Sequence, residues 1–262
     1  MKIPNPSQMM DAHIRMNLGV YFDNLIQLSG FCVATSKRIK DYYWNYAYFP
    51  NTREICQNDL NAAILCLAEH NRGVAIWKEA DTTLPSGWAV QSEEAWMWLE
   101  REEWQTQQGI DISCSLDVRS DDIPNEKMRA VFQDAYSSGG DENDIGYFDL
   151  PSEYGEAYLM ARAKAPTQIC HFSGWLGDQC VAIATASVWN GYGGIYSVAT
   201  THEHRNRGFG TQISRHAVRW AFVNGASGVM LQTSVNSLVE KMYTKLGFHR
   251  THVGTLLAPA TD

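Results

Sequence analysis

Two arginines and two glycines fall within six residues, Arg205-Asn206-Arg207-Gly208-Phe209-Gly210. This stretch lies between a strand-like run and a strongly patterned helix that shows Ile213, Ala217, Trp220 and Ala221 on one face. Gly208 and Gly210 remove side chains where the backbone turns into that helix. Its first amide N–H groups are then unpaired, at the positive end of the helix dipole. Such a turn takes an anion, phosphate or pyrophosphate above all, and Arg205 and Arg207 add charge. A Walker loop needs Gly-Lys-Ser/Thr after its glycines, where this chain has Gly210-Thr211-Gln212. A dinucleotide fingerprint needs a small residue at position 213, where Ile stands. His202-Glu203-His204, just upstream, has metal-binding residue types but no third ligand at a fixed spacing. It reads as a solvated turn, and no metal is expected.

The elements that must position this turn can be read from pattern. Ile112 to Val118 reads as a strand, Glu126 to Tyr136 as a helix, and Ser137 to Asp144 as a loop. Pro151 opens a helix over Glu153 to Ala163. Ile169 to Phe172, Val181 to Val188 and Ile195 to Thr200 read as strands, the last two joined as a hairpin by the turn-rich Trp189 to Gly194. After the glycine turn come a helix (Thr211 to Val223), a strand (Val229 to Thr233), a helix (Leu238 to Leu246) and a strand from Phe248. The class is α/β (α+β), with a mixed, mostly antiparallel sheet flanked by helices.

Upstream, residues 18–28 carry Leu18, Phe22, Leu25, Ile26 and Leu28 near helical spacing and predict a helix. The aromatic run 41–49 reads as a strand stopped by Pro50. Leu60, Ile64, Leu67 and Ala68 mark a helical face, closed by Asn71-Arg72-Gly73, and Val74 to Trp77 and Trp96 to Leu99 read as short strands. The polar stretch Glu100 to Gly109 is the expected boundary between a domain over 1–110 and a second over 111–262.

Composition narrows the classes. At 262 residues the chain has room for one to two domains of about 150 residues. Its 45% hydrophobic and 19% charged residues exclude a disordered chain, and no apolar run reaches the roughly 18 residues of a membrane span. The first twenty residues lack the apolar core of a signal peptide. With 21 basic and 29 acidic side chains the net charge is −8, which speaks against tight nonspecific nucleic-acid binding. Cys32, Cys56, Cys66, Cys114, Cys170 and Cys180 are scattered, with no CxxC pair. They read as buried free thiols in a reducing, cytoplasmic setting.

The stretch Val198-Ala199-Thr200-Thr201-His202-Glu203-His204 runs into the glycine turn. Twenty-six residues beyond Gly210, Asn236 opens NSLVEKMYTKLGF. Together these segments resemble the GNAT superfamily of acyl-CoA-dependent N-acyltransferases, whose pattern is R/Q-x-x-G-x-G/A, a helix, a strand, then N-x-x-A-x-x-L-Y-x-x-x-GF. The spacing from Asn236 to Tyr243 and to Gly247-Phe248 matches, while Val239 and Met242 replace the Ala and Leu of the pattern. The resemblance covers about residues 112–262. It implies the GNAT fold with acetyl-CoA as acyl donor and no metal. Val198, Ala199 and Thr200 would pair with the pantetheine arm, and the amides of Asn206, Arg207, Gly208, Phe209, Gly210 and Thr211, with Arg205, would hold the pyrophosphate. Asn236 would lie beside the pantetheine. Tyr243 falls on the general-acid position; a phenol of pKa about 10 is protonated at neutral pH and can donate to the departing thiolate.

Residues 41–99 resemble the later part of a second, degenerate GNAT-like half that lacks the glycine turn, so the chain is expected to be of the tandem type, with a truncated N-terminal domain. The activity implied is acetyl transfer to a primary amine of a small molecule or peptide, by direct attack in a ternary complex. No cysteine lies within the two motifs, which argues against an acyl-cysteine intermediate. A carrier-protein or aminoacyl-tRNA donor, and a non-catalytic acyl-CoA binder, are the alternatives. Asp149, Glu153 and Glu156, and Ser187, Tyr192 and Tyr196, are placed near the acceptor or thioester, and none is singled out as the base. No nucleic-acid or membrane partner is expected, and a homodimer stays open.

Overall fold

A computed structural model describes residues 3–50, 55–79, 86–106, 116–137, 150–161 and 168–260. The elements in chain order are α1 (Pro6–Asn17), β1 (Asn24–Gln27), β2 (Cys32–Thr35), β3 (Asn45–Tyr48), α2 (Gln57–Glu69), β4 (Ile76–Glu79), β5 (Trp88–Glu100) and α3 (Arg101–Thr106). They continue with β6 (Asp117–Asp121), α4 (Glu126–Tyr136), α5 (Ser152–Leu159), β7 (Gln168–Leu176), β8 (Gln179–Trp189) and β9 (Tyr192–Thr200). The last are α6 (Phe209–Val223), β10 (Gly228–Ser234), α7 (Leu238–Lys245) and β11 (His249–Pro259). Two compact units are built from interleaved segments. The C-terminal unit is Trp98–Leu231 with Lys241–His249, and the N-terminal unit is Lys2–Met97 with Gln232–Glu240 and Arg250–Asp262. The boundary expected at 110, the start of the strand expected at 112, the loop 138–144 and Asp149 lie outside the described residues.

In the C-terminal unit the strand order is β10-β9-β8-β7-β6. β6 to β9 are antiparallel, and β9 and β10 are parallel. α4 spans the predicted residues. Asn125 caps it by accepting from the Lys127 and Met128 N–H groups, and Met128, Val131, Phe132 and Ala135 give it one buried face. The turn expected over 189–194 tightens to two residues, Asn190 and Gly191, both at positive φ, because Trp189 and Tyr192 already pair. At Gly193 an added Cβ would lie 3.0–3.1 Å from Ala226, Ala221 and Val229, so the bare backbone lets α6 close on β9.

In the N-terminal unit the order is β1-β2-β3-β4-β11-β5. α2 covers a core of Val33, Ala47, Leu60, Ala63, Leu67, Ile76 and Leu257. Here the expectation for residues 18–28 is overturned. The helix lies earlier, over Pro6–Asn17, where Asn5 and Gln8 form a reciprocal capping box at 2.9 Å each and Pro6 takes the first turn. Gly19, at φ +86°, breaks any continuation. Leu25 and Ile26 instead enter β1, opposite Ala34 and Val33 of β2. The aromatic run 41–49 divides into a single 3₁₀ turn, Tyr42–Trp44, and β3.

Candidate active site

The end of β9 is shaped by a bulge. Ile183 of β8 faces Ala199 and Thr185 faces Tyr196, so Ser197 and Val198 together oppose one residue, and Ser197 takes φ +50°. The Thr201 N–H donates to the Val181 carbonyl at 3.0 Å. Strand alternation then turns Ala199 toward β8 and the backbone of Val198 and Thr200 away from it. On that other edge the paired register with β10 stops at Gly194 and Met230, while β9 runs on to Thr200. The Val198 carbonyl accepts from the Tyr136 hydroxyl at 3.2 Å.

The glycine turn follows a short 3₁₀ turn, His202–His204. Asn206 and Gly208 both take left-handed conformations, at φ +61° and +80°. Gly208 is the N-cap of α6 and brings no side chain to it; the first bond across this end runs from the Gln212 N–H to the Gly208 carbonyl at 3.0 Å. The amides of Phe209, Gly210 and Thr211 therefore lie ahead of the helical ladder, as an anion cradle requires. Gly208 is conformationally demanded. Gly210 is not, since an added Cβ would meet Thr200 Oγ1 at 3.5 Å and Met242 Sδ at 3.7 Å, ordinary contacts. Arg207 and Asn206 are exposed. The Arg205 guanidinium donates to the Ala135 carbonyl at 2.7 Å, which ties the turn to the C-terminus of α4. One residue earlier, Asp134 accepts the His202 backbone N–H at 2.8 Å and approaches the ring Nδ1 at 3.3 Å. His204 is buried, with its ring beside Phe209.

Tyr243, on α7, is buried against Phe248 in the same unit, with the Ser214 hydroxyl close to its own. Burial pushes its phenol well above the ordinary tyrosine range; Ser214 pulls the other way, and the nearby Tyr136 pushes up. Burial also raises Tyr136 to about 12. Val198, the glycine turn and Tyr243 all belong to the C-terminal unit.

Asn236 belongs to the N-terminal unit, at φ +61°. Its N–H donates to Glu240 Oε2 at 2.6 Å, and its Oδ1 accepts from Arg250 Nη2 at 3.0 Å. Arg250 also grips Glu240, at 2.6 Å through Nε and 2.7 Å through Nη2. A guanidinium only donates, so the carboxamide oxygen must face Arg250, and its NH₂ is the group left to point elsewhere. Sequence reasoning passed over Glu240 and Arg250. The signal for the first was present, because Ser237 and Glu240 stand at capping-box spacing and Ser237 Oγ accepts the Glu240 N–H at 3.0 Å.

Of the other residues placed near the acceptor, Glu153 is half-buried and Glu156 exposed on α5. Ser187 is buried, with no hydrogen-bond partner for its hydroxyl among the described residues. Beside it, on the same face of β7 and β8, His171 lies 3.2 Å through Nε2 from the Ala161 carbonyl and 2.9 Å through Nδ1 from Thr185 Oγ1. The carbonyl can only accept, so Nε2 carries the proton and the Thr185 hydroxyl donates to Nδ1. Burial holds this imidazole neutral, with its pKa lowered to about 4. Among the described residues no three metal-binding side chains cluster.

Residues 126–248 match the acetyltransferase (GNAT) family. The uncharacterized N-acetyltransferase YobR of Bacillus subtilis (strain 168) is 39% identical over 72 residues, 27% of this chain and 29% of that protein. Streptothricin acetyltransferase A of the same organism is 34% identical over 103 residues, 38% of this chain and 57% of its own length. The chain thus spans well under two thirds of both curated relatives. A GCN5-related N-acetyltransferase from Kribbella flavida superposes with a TM-score of 0.65 at 14% identity, covering 98% of this chain and 96% of the other. That fold likeness extends through the N-terminal half, consistent with a second GNAT-like domain. Residues 126–248 thus form a domain that resembles those of the acetyltransferase (GNAT) family.

Proposed function

We propose that the protein transfers an acetyl group from acetyl-CoA to a primary amine of a small molecule or peptide, by direct attack in a ternary complex. The observation that carries this reading is the open amide turn at Gly208, in the same unit as the end of β9 and the buried Tyr243. The amides of residues 206–211 would hold the pyrophosphate, with Arg207 as the charged side chain on the turn. The backbone of Val198, Ala199 and Thr200 would take the pantetheine as a strand takes a partner. The neutral amine forms the N–C bond at the thioester carbonyl, and the C–S bond breaks to release CoA thiolate. The Val198 N–H would stabilise the oxyanion between these events.

Tyr243 would meet the thiolate. Its burial secures the protonated, donating form at every working pH. The same burial makes full transfer uphill to a thiolate of ordinary pKa about 8.5, so its first contribution is a hydrogen bond to the developing charge. The ammonium proton of the acceptor leaves to water or to a carboxylate before the neutral amine attacks. Residues 1–110 act in this reading as a structural, GNAT-like half without a donor cradle, and the scattered thiols fit a cytoplasmic protein. The acetyltransferase names of the two relatives support the reaction class, and the name of the second supports a small-molecule acceptor.

The test is a thiol-release assay with acetyl-CoA against a panel of amines: a polyamine, an aminoglycoside, streptothricin, free amino acids and a peptide N-terminus. Amine-dependent CoA release supports the reading. No release with any of them, from folded protein that binds acetyl-CoA, would point to a non-catalytic binder.

A further inference from the structure

Three consecutive residues at the end of α4 reach three parts of the candidate site. Asp134 takes the His202 N–H, the Ala135 carbonyl takes the Arg205 guanidinium, and Tyr136 gives its hydroxyl to the Val198 carbonyl. We propose that Tyr136 is a positioning residue for acyl transfer: by holding the Val198 carbonyl it restrains the bulge residue of β9 whose own N–H would face the thioester oxygen. This rests on the acetyltransferase reading above.

The bulge makes such a hold necessary. Ser197 and Val198 oppose a single residue of β8, so the ladder is interrupted there, and Ser197 sits at φ +50°, a conformation a side chain adopts only under constraint. The Val198 carbonyl is turned away from β8, and Tyr136 is the side chain that meets it. The phenol is itself held firmly. Its ring packs on Phe132 at 4.8 Å between centroids, and Phe132 stacks on Tyr158 at 5.1 Å and 3°. The turn that would bind the pyrophosphate is tied to α4 separately, through Arg205 and Ala135. Losing the Tyr136 hydroxyl should therefore misaim the oxyanion donor without disturbing the cradle, and it should cost more in turnover than in donor affinity, to which Val198–Thr200 would contribute only the pantetheine pairing.

Tyr136→Phe keeps the ring and removes only the bond. Amide hydrogen exchange on the free protein is expected to quicken over residues 195–200 and not elsewhere in the unit. Turnover should fall about tenfold or more, as a misplaced oxyanion donor implies, with CoA affinity falling clearly less than turnover. Unchanged exchange over 195–200, unchanged turnover, or CoA affinity falling in step with turnover would each overturn the proposal. Should that variant fold poorly, Phe132→Leu loosens the same phenol while leaving its hydroxyl, and predicts a smaller loss with the same split. Exchange is read without any donor. A parent protein that shows no acetyl transfer would defeat the acetyltransferase reading, while the exchange result still decides whether Tyr136 holds Val198.

Discussion

The Arg205 guanidinium donates to the carbonyl oxygen of Ala135 at 2.7 Å, across seventy positions of sequence. Sequence alone makes Arg205 a phosphate ligand. The structure gives it a second task, closing the C-terminus of α4, where a cation also meets the negative end of the helix dipole. Arg205 and Arg207 should consequently fail in different ways. Arg205→Gln frees the turn and is expected to weaken CoA binding while leaving its dependence on ionic strength nearly unchanged. Arg207→Gln is expected to flatten that dependence, because an exposed charge acting on a phosphate is screened by salt. Titrations across a salt series separate the two, and equal flattening by both variants would contradict the division.

Such ties show where sequence reading stops. α4 and α6 were legible because apolar spacing and length agree over residues 126–136 and around 209–223, and the glycine turn was legible because its chemistry is local. The contacts from Asp134, Ala135 and Tyr136 join residues 62 to 70 positions apart, and no local pattern encodes them. The helix expected over 18–28 failed for a different reason. Spacing near 3.6 cannot tell a short strand from a helix, while the Asn5-Pro6-Gln8 cap that marks the real helix lay outside the apolar run. Ser237 and Glu240 were readable as a cap, but that Glu240 also fixes Asn236 through Arg250 was not.

The two glycines of the turn should separate cleanly. Gly208→Ala places a side chain at φ +80°, which costs about 1–2 kcal/mol and disturbs the cradle, so both melting temperature and CoA affinity should fall. Gly210→Ala adds a Cβ at ordinary contact distance and should bind CoA within a few-fold of the parent. Calorimetry on the pair decides it, and equal losses would contradict the assignment of the strained position.

Tyr243→Phe tests the donor to the thiolate. Turnover should drop by roughly 10²-fold or more, in the range of a positioned acid, with acetyl-CoA affinity retained. Because burial holds the phenol far above its ordinary range, Tyr243 itself should produce no fall in the parent rate up to pH 10. A falling limb below that pH, absent from the Phe variant, would show an environment more polar than the one described.

His171 sets an acid limit on stability. Buried and neutral, it titrates at about 4 when folded against 6.5 for the free side chain. Between these values the unfolded chain binds more protons, so its contribution is complete above about 6.5 and is lost as the pH falls to about 4, some 3 kcal/mol in all. His171→Gln should shallow the slope of stability against pH across that window. His13 and His252, lowered to about 3 and 4 by their own burial, keep the rest of it. Denaturation at stepped pH reads the slope, and an unchanged slope would mean the imidazole is already charged in the fold.

Isothermal titration of the purified protein with acetyl-CoA, beside a Gly208→Glu variant shown to be folded at the temperature used, tests the central claim most directly. The account predicts one site with a dissociation constant on the order of micromolar in the parent and none in the variant, whose carboxylate would stand where the pyrophosphate belongs. No binding by folded parent protein, or equal binding by both, would contradict a donor site at the Arg205–Gly210 turn.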